Sequence, residues 1–301
     1  MGTPEFAVPS LELLAQHYEI AAVFTQPDRP SGRGQKLAQT PVKRTAFALN
    51  LSVHEPQKIN TPDVLTQLRD IAADAIVVVG YGKLIPQIII DMPRLGIVNL
   101  HASLLPKYRG AAPINWALVR GETQTGVTTM KIDAGLDTGD MLLKETIDIA
   151  PDDDTSTLGR KLAVIGAPLL VRTLDGLERG EITPIPQDHA QATIAPILKK
   201  EDGRADWTLP ATDLLNRVRG FAPWPGVYTK FREGTVSIWR AAIADSPAAA
   251  PGSLTVTGRR VFVACGSGSL ELLELQPEGK KRMSVADFLN GARVRPDERF
   301  T

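Results

Sequence analysis

Apolar and polar positions follow two different patterns along the first hundred residues. Runs rich in Val and Ile stand between stretches in which apolar residues recur every three or four positions. The predicted helices cover 9–17, 41–49 and 61–69, and the predicted strands cover 20–25, 51–53, 75–79 and 96–100. Uninterrupted apolar strands that alternate with amphipathic helices are typical of a parallel sheet covered on both faces. The pattern therefore predicts an α/β domain that binds its ligands beyond the carboxyl ends of the strands.

The pattern changes twice after residue 150. A long helix is predicted over 155–179, and the proline-rich stretch 181–204 is typical of a linker. The short strands predicted after this linker cover 227–231, 235–240, 252–256, 260–264 and 269–275. Short strands separated by turn residues favour a small barrel, for which an OB-type barrel is one candidate. We therefore expect a first domain over 1–180 and a second domain over 205–301.

Composition narrows the class of protein. With 301 residues the chain is long enough for two folded domains. Lys plus Arg and Asp plus Glu number 34 each, so any polyanion must be bound by local patches. The single cysteine, Cys265, has no disulfide partner, which favours a reducing compartment and a buried packing role. No apolar stretch approaches the roughly 20 residues that cross a bilayer, and no secretion signal precedes the fold, so we expect a cytoplasmic protein.

The run over 96–106 carries the candidate chemistry. It ends a predicted strand with Asn99 and His101, whose side chains share a face because they are two positions apart. An amide N–H and a ring N–H can both stabilise the oxyanion that forms when an amine attacks an acyl group. Asp137, in a later Asp-x-Gly, can face the imidazole and favour its charged form. By spacing alone, the same residues also fit a capped turn and an ordinary Asp-x-Gly turn.

Four motifs extend this pattern. They are Asn-x-His-x-Ser-Leu-Leu-Pro at 99–106, Tyr-Arg-Gly-Ala-Ala-Pro at 108–113, Gly-Val-Thr at 126–128 and Leu-Asp-Thr-Gly at 136–139. Together they resemble the formyltransferase family that uses 10-formyltetrahydrofolate, and the resemblance covers essentially the whole chain. It implies a Rossmann-like catalytic domain followed by an OB-fold domain that helps to hold tRNA. It also implies transfer of a formyl group from the folate to the methionine α-amino group of initiator methionyl-tRNA, with no metal and no covalent enzyme intermediate.

The resemblance also implies roles for individual residues. The catalytic trio is Asn99, His101 and Asp137. The residues that it places at the folate site are Ser103, Leu104, Leu105, Pro106, Tyr81 and Gly82. The candidate tRNA contacts that the resemblance implies are Arg33, Lys36, Lys280, Lys281 and Arg282. Without the resemblance, a run of basic residues is usually a solvated face, and glycines after a buried strand also fit a simple strand-to-helix turn. We expect the protein to be a monomer.

Two other functions share parts of this pattern. Another folate-dependent formyltransferase, acting on a sugar nucleotide or a ribosyl amine, would keep the trio but would not need the basic loop around Arg33 or the barrel. An inactive tRNA-binding homologue would keep the barrel but would not need Asn99, His101 and Asp137.

The amino terminus departs from the family pattern. Relatives carry an apolar strand immediately before Gly-Thr-Pro-Glu-Phe, and here Met1 directly precedes that motif. Four or five buried side chains, at about 1.5–3 kcal/mol each, are comparable with a total stability of about 5–15 kcal/mol. We therefore expect either a start upstream of Met1 or a truncated chain whose sheet lacks its first strand.

Overall fold

The computed structural model describes residues 1–31, 36–245, 249–295 and 298–301. Its helices are α1 (Val8–His17), α2 (Pro41–Ala48), α3 (Pro62–Ile71), α4 (Gln87–Ile90), α5 (Pro113–Val119), α6 (Thr155–Glu178), α7 (Ala211–Gly220) and α8 (Val285–Ala292). Its strands are β1 (Val23–Phe24), β2 (Arg29–Ser31), β3 (Lys36–Ala38), β4 (Val53–His54), β5 (Ile76–Val78), β6 (Ile97–His101), β7 (Arg109–Gly110), β8 (Gln124–Lys131), β9 (Met141–Asp148), β10 (Ile194–Ala195), β11 (Val227–Phe231), β12 (Gly234–Ala244), β13 (Leu254–Thr257), β14 (Arg260–Ala264), β15 (Ser269–Pro277) and β16 (Met283–Ser284).

The chain divides into two compact units. The first consists of Met1–Pro113, Gln124–Asp148 and Gly159–Ala195, and the second of Ile114–Thr123, Ile149–Leu158 and Pro196–Thr301. The second unit therefore includes two short stretches from the part of the chain before residue 180. Residues up to 195 of the expected linker, 181–204, belong to the first unit. The domain limits inferred from the sequence stay a prediction.

The first unit contains a four-stranded sheet in the order β5-β6-β8-β9. β5 and β6 are parallel, with Val78 opposite Asn99, and β1 and β4 form a second parallel pair. β8 and β9 run antiparallel to their neighbours, which the apolar pattern did not predict. Every residue of β6 is buried, and β5 and β8 flank it on its two edges. The predicted α/β class is confirmed, and the sheet is mixed rather than wholly parallel.

Met1 and Gly2 bridge the two parallel pairs. The Gly2 N–H donates to the Phe24 carbonyl at 3.0 Å, and the Val79 N–H donates to the Met1 carbonyl at 2.9 Å. The Met1 α-amino group donates to the Val77 carbonyl at 2.7 Å, and burial lowers the pKa of this amine to about 5. Beside these residues lies a cavity of about 630 Å³ that is lined by 19–24 and 74–77 among others. The cavity lies between β1 and β5.

The second unit is built on an antiparallel sheet in the order β11-β12-β15-β14-β13, with β16 paired to β15. The inward-facing side chains form its core, including Ile238, Val261, Val263 and Leu275, each no more than 2% exposed. The register of β12 against β15 shifts after Ile238, which marks a β-bulge. All five strands predicted in this part of the chain are present, and the small-barrel class is confirmed. Among the described helices, none has the length and apolar character needed to span a bilayer.

We expect Cys265 to be unreactive in the folded protein. Its side chain follows β14, is 5% exposed and contacts the Val263 carbonyl at 3.6 Å. Burial raises the pKa of the thiol to about 11, so only about one molecule in a thousand carries a thiolate at pH 8. Iodoacetamide labelling at pH 8, followed by mass spectrometry, should modify Cys265 in urea but not in buffer. Rapid modification in buffer would show that the thiol is accessible and the packing role is wrong.

Candidate active site

Asn99 and His101 lie side by side on the same face of β6. They are 9% and 6% exposed, and the strands on either side hold them by backbone pairing. An amide and an imidazole therefore stand next to each other at the end of this strand.

The two ring nitrogens of His101 face different groups. Nε2 lies 2.8 Å from the Tyr108 carbonyl oxygen, and Nδ1 lies 3.6 Å from Asp137 Oδ2. A carbonyl oxygen only accepts, so Nε2 must carry the hydrogen and donate it. In the neutral ring, Nδ1 then holds the lone pair and is the atom that takes up a proton. When protonated there, the ring is a cation that faces a carboxylate.

Asp137 is held in place by its backbone and by a neighbouring amide. Its φ of +52° lies in the left-handed region, which Asp adopts more readily than most residues. Oδ2, the oxygen that faces His101, accepts a hydrogen bond from the Gly110 N–H at 2.8 Å. Its side chain is 17% exposed. The structure therefore brings the predicted histidine and aspartate together across 36 residues of chain. The prediction that Asn99 and His101 share one oxyanion stays a prediction, because His101 can donate to it only through Nδ1.

The loop after β6 is closed by its own hydrogen bonds. The Ser103 hydroxyl donates to the Lys107 carbonyl at 2.6 Å, and the Thr128 hydroxyl donates to the Ser103 carbonyl at 2.7 Å. Ser103 and Leu105 are 0% and 1% exposed, so their side chains shape the loop from inside. Leu104 and Pro106 are half-buried, and a ligand can reach them. The folate-binding role of all four residues stays a prediction.

Tyr81 and Gly82 lie in the turn that follows β5. The Tyr81 ring is 1% exposed and packs in a core cluster with Phe24 and Ile97, and burial raises the pKa of its phenol to about 12. Gly82 has φ +75°, and a Cβ there would lie 2.4 Å from Gln26 Nε2. The structure thus gives both residues a packing role, and their contact with a folate stays a prediction.

The candidate tRNA contacts are placed differently from one another. Arg33 lies outside the described residues, and Lys36 begins β3. Lys280 and Lys281 are exposed, whereas the Arg282 Nε donates to Glu274 at 2.6 Å and its guanidinium stacks 5.1 Å from the Trp239 ring centroid. Arg282 is therefore partly engaged within the protein.

Sequence reasoning missed three residues beside the site. Arg109 is 6% exposed, and its guanidinium contacts Gln187 Oε1 and His189 Nδ1. The sequence had placed Gln187 and His189 in a linker, and His189 carried no predicted role. Arg109 stands in the Tyr-Arg-Gly-Ala-Ala-Pro motif, which could have singled it out. No signal in the sequence points to Gln187.

A strand-end amide and a histidine–aspartate pair on an α/β sheet define a group-transfer enzyme of the acyl type. The chain matches the family described as Formyl transferase over residues 6–174, and the Formyl transferase C-terminal domain over residues 197–293. It belongs to the formyl transferase family.

Its relatives extend over the full length of the chain. A methionyl-tRNA formyltransferase of Solibacter usitatus is 56% identical over 302 residues, which covers 100% of this chain and 97% of the relative. A methionyl-tRNA formyltransferase of Geobacter metallireducens is 50% identical, with 100% and 97% covered. Among solved structures, an N-formyltransferase from Helicobacter canadensis in complex with folinic acid and dTDP-3-aminofucose has a TM-score of 0.69 at 15% identity, covering 94% of this chain and 97% of that chain. This last likeness concerns the fold.

We expect Gly110→Ala to destabilise the first unit more than Gly180→Ala does. Gly110 has φ +114°, which L residues rarely adopt, and a Cβ there would lie 2.7 Å from the Ala195 carbonyl oxygen. Gly180→Ala is the matched control, because Gly180 has φ +68° but open space around its Cβ. In thermal unfolding, Gly110→Ala should lower Tm by about 5 °C more than the control, which corresponds to about 2 kcal/mol. Equal losses would mean that the 109–110 segment is free to move away from 195.

Proposed function

We propose that this enzyme transfers the formyl group of 10-formyltetrahydrofolate to the methionine α-amino group of initiator methionyl-tRNA. The observation that carries the proposal is the match, at 56% identity over the whole chain, with a methionyl-tRNA formyltransferase. The site supplies groups suited to that chemistry. The reaction joins the amine to the formyl carbon and breaks the bond from that carbon to N10 of the folate, so the enzyme must stabilise an oxyanion, remove a proton from the amine and return one to N10.

Asn99 provides the oxyanion donor. Its carboxamide lies on the same face of β6 as His101, and an amide N–H held on a strand can donate to a developing negative charge with little reorganisation. Removing one such donor typically lowers turnover by about 10²–10³-fold. The half-buried Leu104 and Pro106 lie on the loop that follows β6 and offer apolar surface to a flat ring. These residues fit a folate formyl donor, and the structurally similar N-formyltransferase contains folinic acid.

His101 takes the proton that the attacking amine loses. Because Tyr108 holds the Nε2–H, Nδ1 is the accepting atom, and the imidazolium that results faces the Asp137 carboxylate. The Asp137 carboxylate therefore lies beside the atom at which the positive charge forms. It keeps the Gly110 N–H as a fixed donor throughout.

The acceptor is a tRNA rather than a nucleotide sugar. The relatives named methionyl-tRNA formyltransferase are 46–56% identical to this chain over almost its full length. An inactive binding protein would have no need of the buried His101–Asp137 pair. We propose that the protein acts in the cytoplasm, where translation takes place, and that it acts as a monomer.

Asn99→Ala and His101→Ala should each lower kcat by about 10²–10⁴-fold with little change in tRNA affinity. The assay incubates the enzyme with 10-formyltetrahydrofolate and charged initiator tRNA and quantifies formyl-methionine after deacylation. His17→Ala is the matched control, because His17 is exposed and distant in sequence from the trio. Absence of product with the unmodified chain would overturn the proposed function. Full activity of either site variant would instead overturn the residue's role.

We expect the basic residues to act through phosphate contacts that depend on salt. Each lost contact should lower the slope of log affinity against log salt by about 1. Arg33→Ala and the double variant Lys280→Ala/Lys281→Ala should therefore bind charged tRNA more weakly and with a shallower salt dependence. Lys280→Arg/Lys281→Arg keeps both charges and should retain the slope. If the alanine and arginine pairs behave alike, these lysines are an ordinary solvated face.

A further inference from the structure

Gln187 connects the Asp137 loop to a buried arginine. Its Nε2 donates to the Asp137 carbonyl at 2.9 Å and to the Gly139 carbonyl at 2.8 Å. Its Oε1 accepts from Arg109 Nε at 3.0 Å and from Nη2 at 2.7 Å. Both amide hydrogens and both carbonyl lone pairs are used, and the side chain is 5% exposed. The orientation of the amide is unambiguous, because a guanidinium only donates and the two backbone carbonyls only accept.

The same short segment holds every part of the histidine–aspartate pair. The Tyr108 carbonyl accepts from His101 Nε2, and the Gly110 N–H donates to Asp137 Oδ2. Between them, the Arg109 side chain holds Gln187, which in turn holds the Asp137 backbone. Three consecutive residues therefore set the position of the ring, of the carboxylate and of the loop that carries it.

Asp137 needs this support for a physical reason. Its backbone lies in the left-handed region at φ +52°, and its carboxylate is 3.6 Å from His101 Nδ1, too far for a hydrogen bond to fix it from the histidine side. Gly139, two residues further along, packs closely against the backbone of Lys131. A Cβ at position 139 would lie 2.0 Å from the Lys131 carbonyl oxygen. The two bonds from Gln187 hold the carbonyls on either side of Thr138.

We propose that Gln187, backed by Arg109, is a positioning residue that keeps the Asp137 carboxylate facing His101 Nδ1. This role rests on the proposed function, because it concerns the proton-removal step of formyl transfer. Gln187 acts through Asp137 and touches neither substrate. Loss of its two donors should lower kcat and leave KM for both substrates nearly unchanged, because the substrate-facing side chains keep their places.

Gln187→Glu tests this positioning role by replacing only the side-chain NH₂ group with an oxygen. The carboxylate still accepts from Arg109 but presents oxygen to the Asp137 and Gly139 carbonyls, so only the bonds to the loop are lost. We expect kcat to fall by about 10–100-fold, as for a small misplacement of a catalytic group, with each KM within about twofold of the unmodified chain. Gln191→Glu is the matched control. Gln191 is exposed in the same segment, and its amide bonds to Asp188 rather than to the Asp137 loop.

A double-mutant cycle with Asp137→Ala separates positioning from a general structural effect. Under single-turnover conditions with enzyme in excess, Gln187→Glu should reduce the rate by less than about twofold when Asp137 is already absent, because its target is gone. The same 10–100-fold loss in both backgrounds would overturn the proposal, as would an unchanged kcat.

If Gln187→Glu does not fold, a second variant keeps the test possible. The pair Arg109→Met/Gln187→Met replaces the cation and the amide by apolar groups of similar volume, and the same cycle applies. An unmodified chain that forms no formyl-methionine would mean instead that the proposed function has failed.

Discussion

The hydrogen bond between His101 Nε2 and the Tyr108 carbonyl is the interaction on which the rest of the site depends. It fixes the ring in one tautomer, so that Nδ1 is the atom that exchanges a proton and Asp137 is the group that it faces. The other tautomer, with the hydrogen on Nδ1, would leave the Nε2 lone pair against the carbonyl oxygen. Tyr108 reaches this position with φ +62°, an uncommon conformation for an aromatic residue. That local strain is offset by the contacts of the segment around it, including the bond from the Tyr108 N–H to the Thr193 hydroxyl at 2.9 Å.

Features that depend on nearby residues could be predicted from the sequence. β6 is an apolar run that ends at its polar residues, so Asn99 and His101 could be assigned to one face of one strand before any coordinates. The strands of the second unit could be predicted for the same reason, because each is bounded by turn residues within ten positions. Asp137 depended on the family resemblance, since an Asp-x-Gly pattern alone is an ordinary turn.

Features that depend on long-range polar contacts could not be predicted. Gln187 lies 50 residues from Asp137 and 78 from Arg109, and its stretch looks like a linker because prolines and polar residues give it no periodicity. The structure shows why this stretch is ordered: β10 pairs with β7, and Ile185 bridges to Met141. The antiparallel course of β8 and β9 was missed for a related reason. Their buried threonines, Thr128 and Thr129, interrupt the apolar pattern but bond internally to Ser103 and Thr173.

The amide at position 187 reflects a compromise between stability and geometry. Arg109 is buried, and a carboxylate partner would compensate its charge better than an amide oxygen and an imidazole nitrogen do. A carboxylate, however, cannot donate to the Asp137 and Gly139 carbonyls, and an ammonium or guanidinium cannot accept from Arg109. Only a side-chain amide accepts two bonds and donates two in one plane. The weaker pairing of the arginine is therefore the cost of holding the loop.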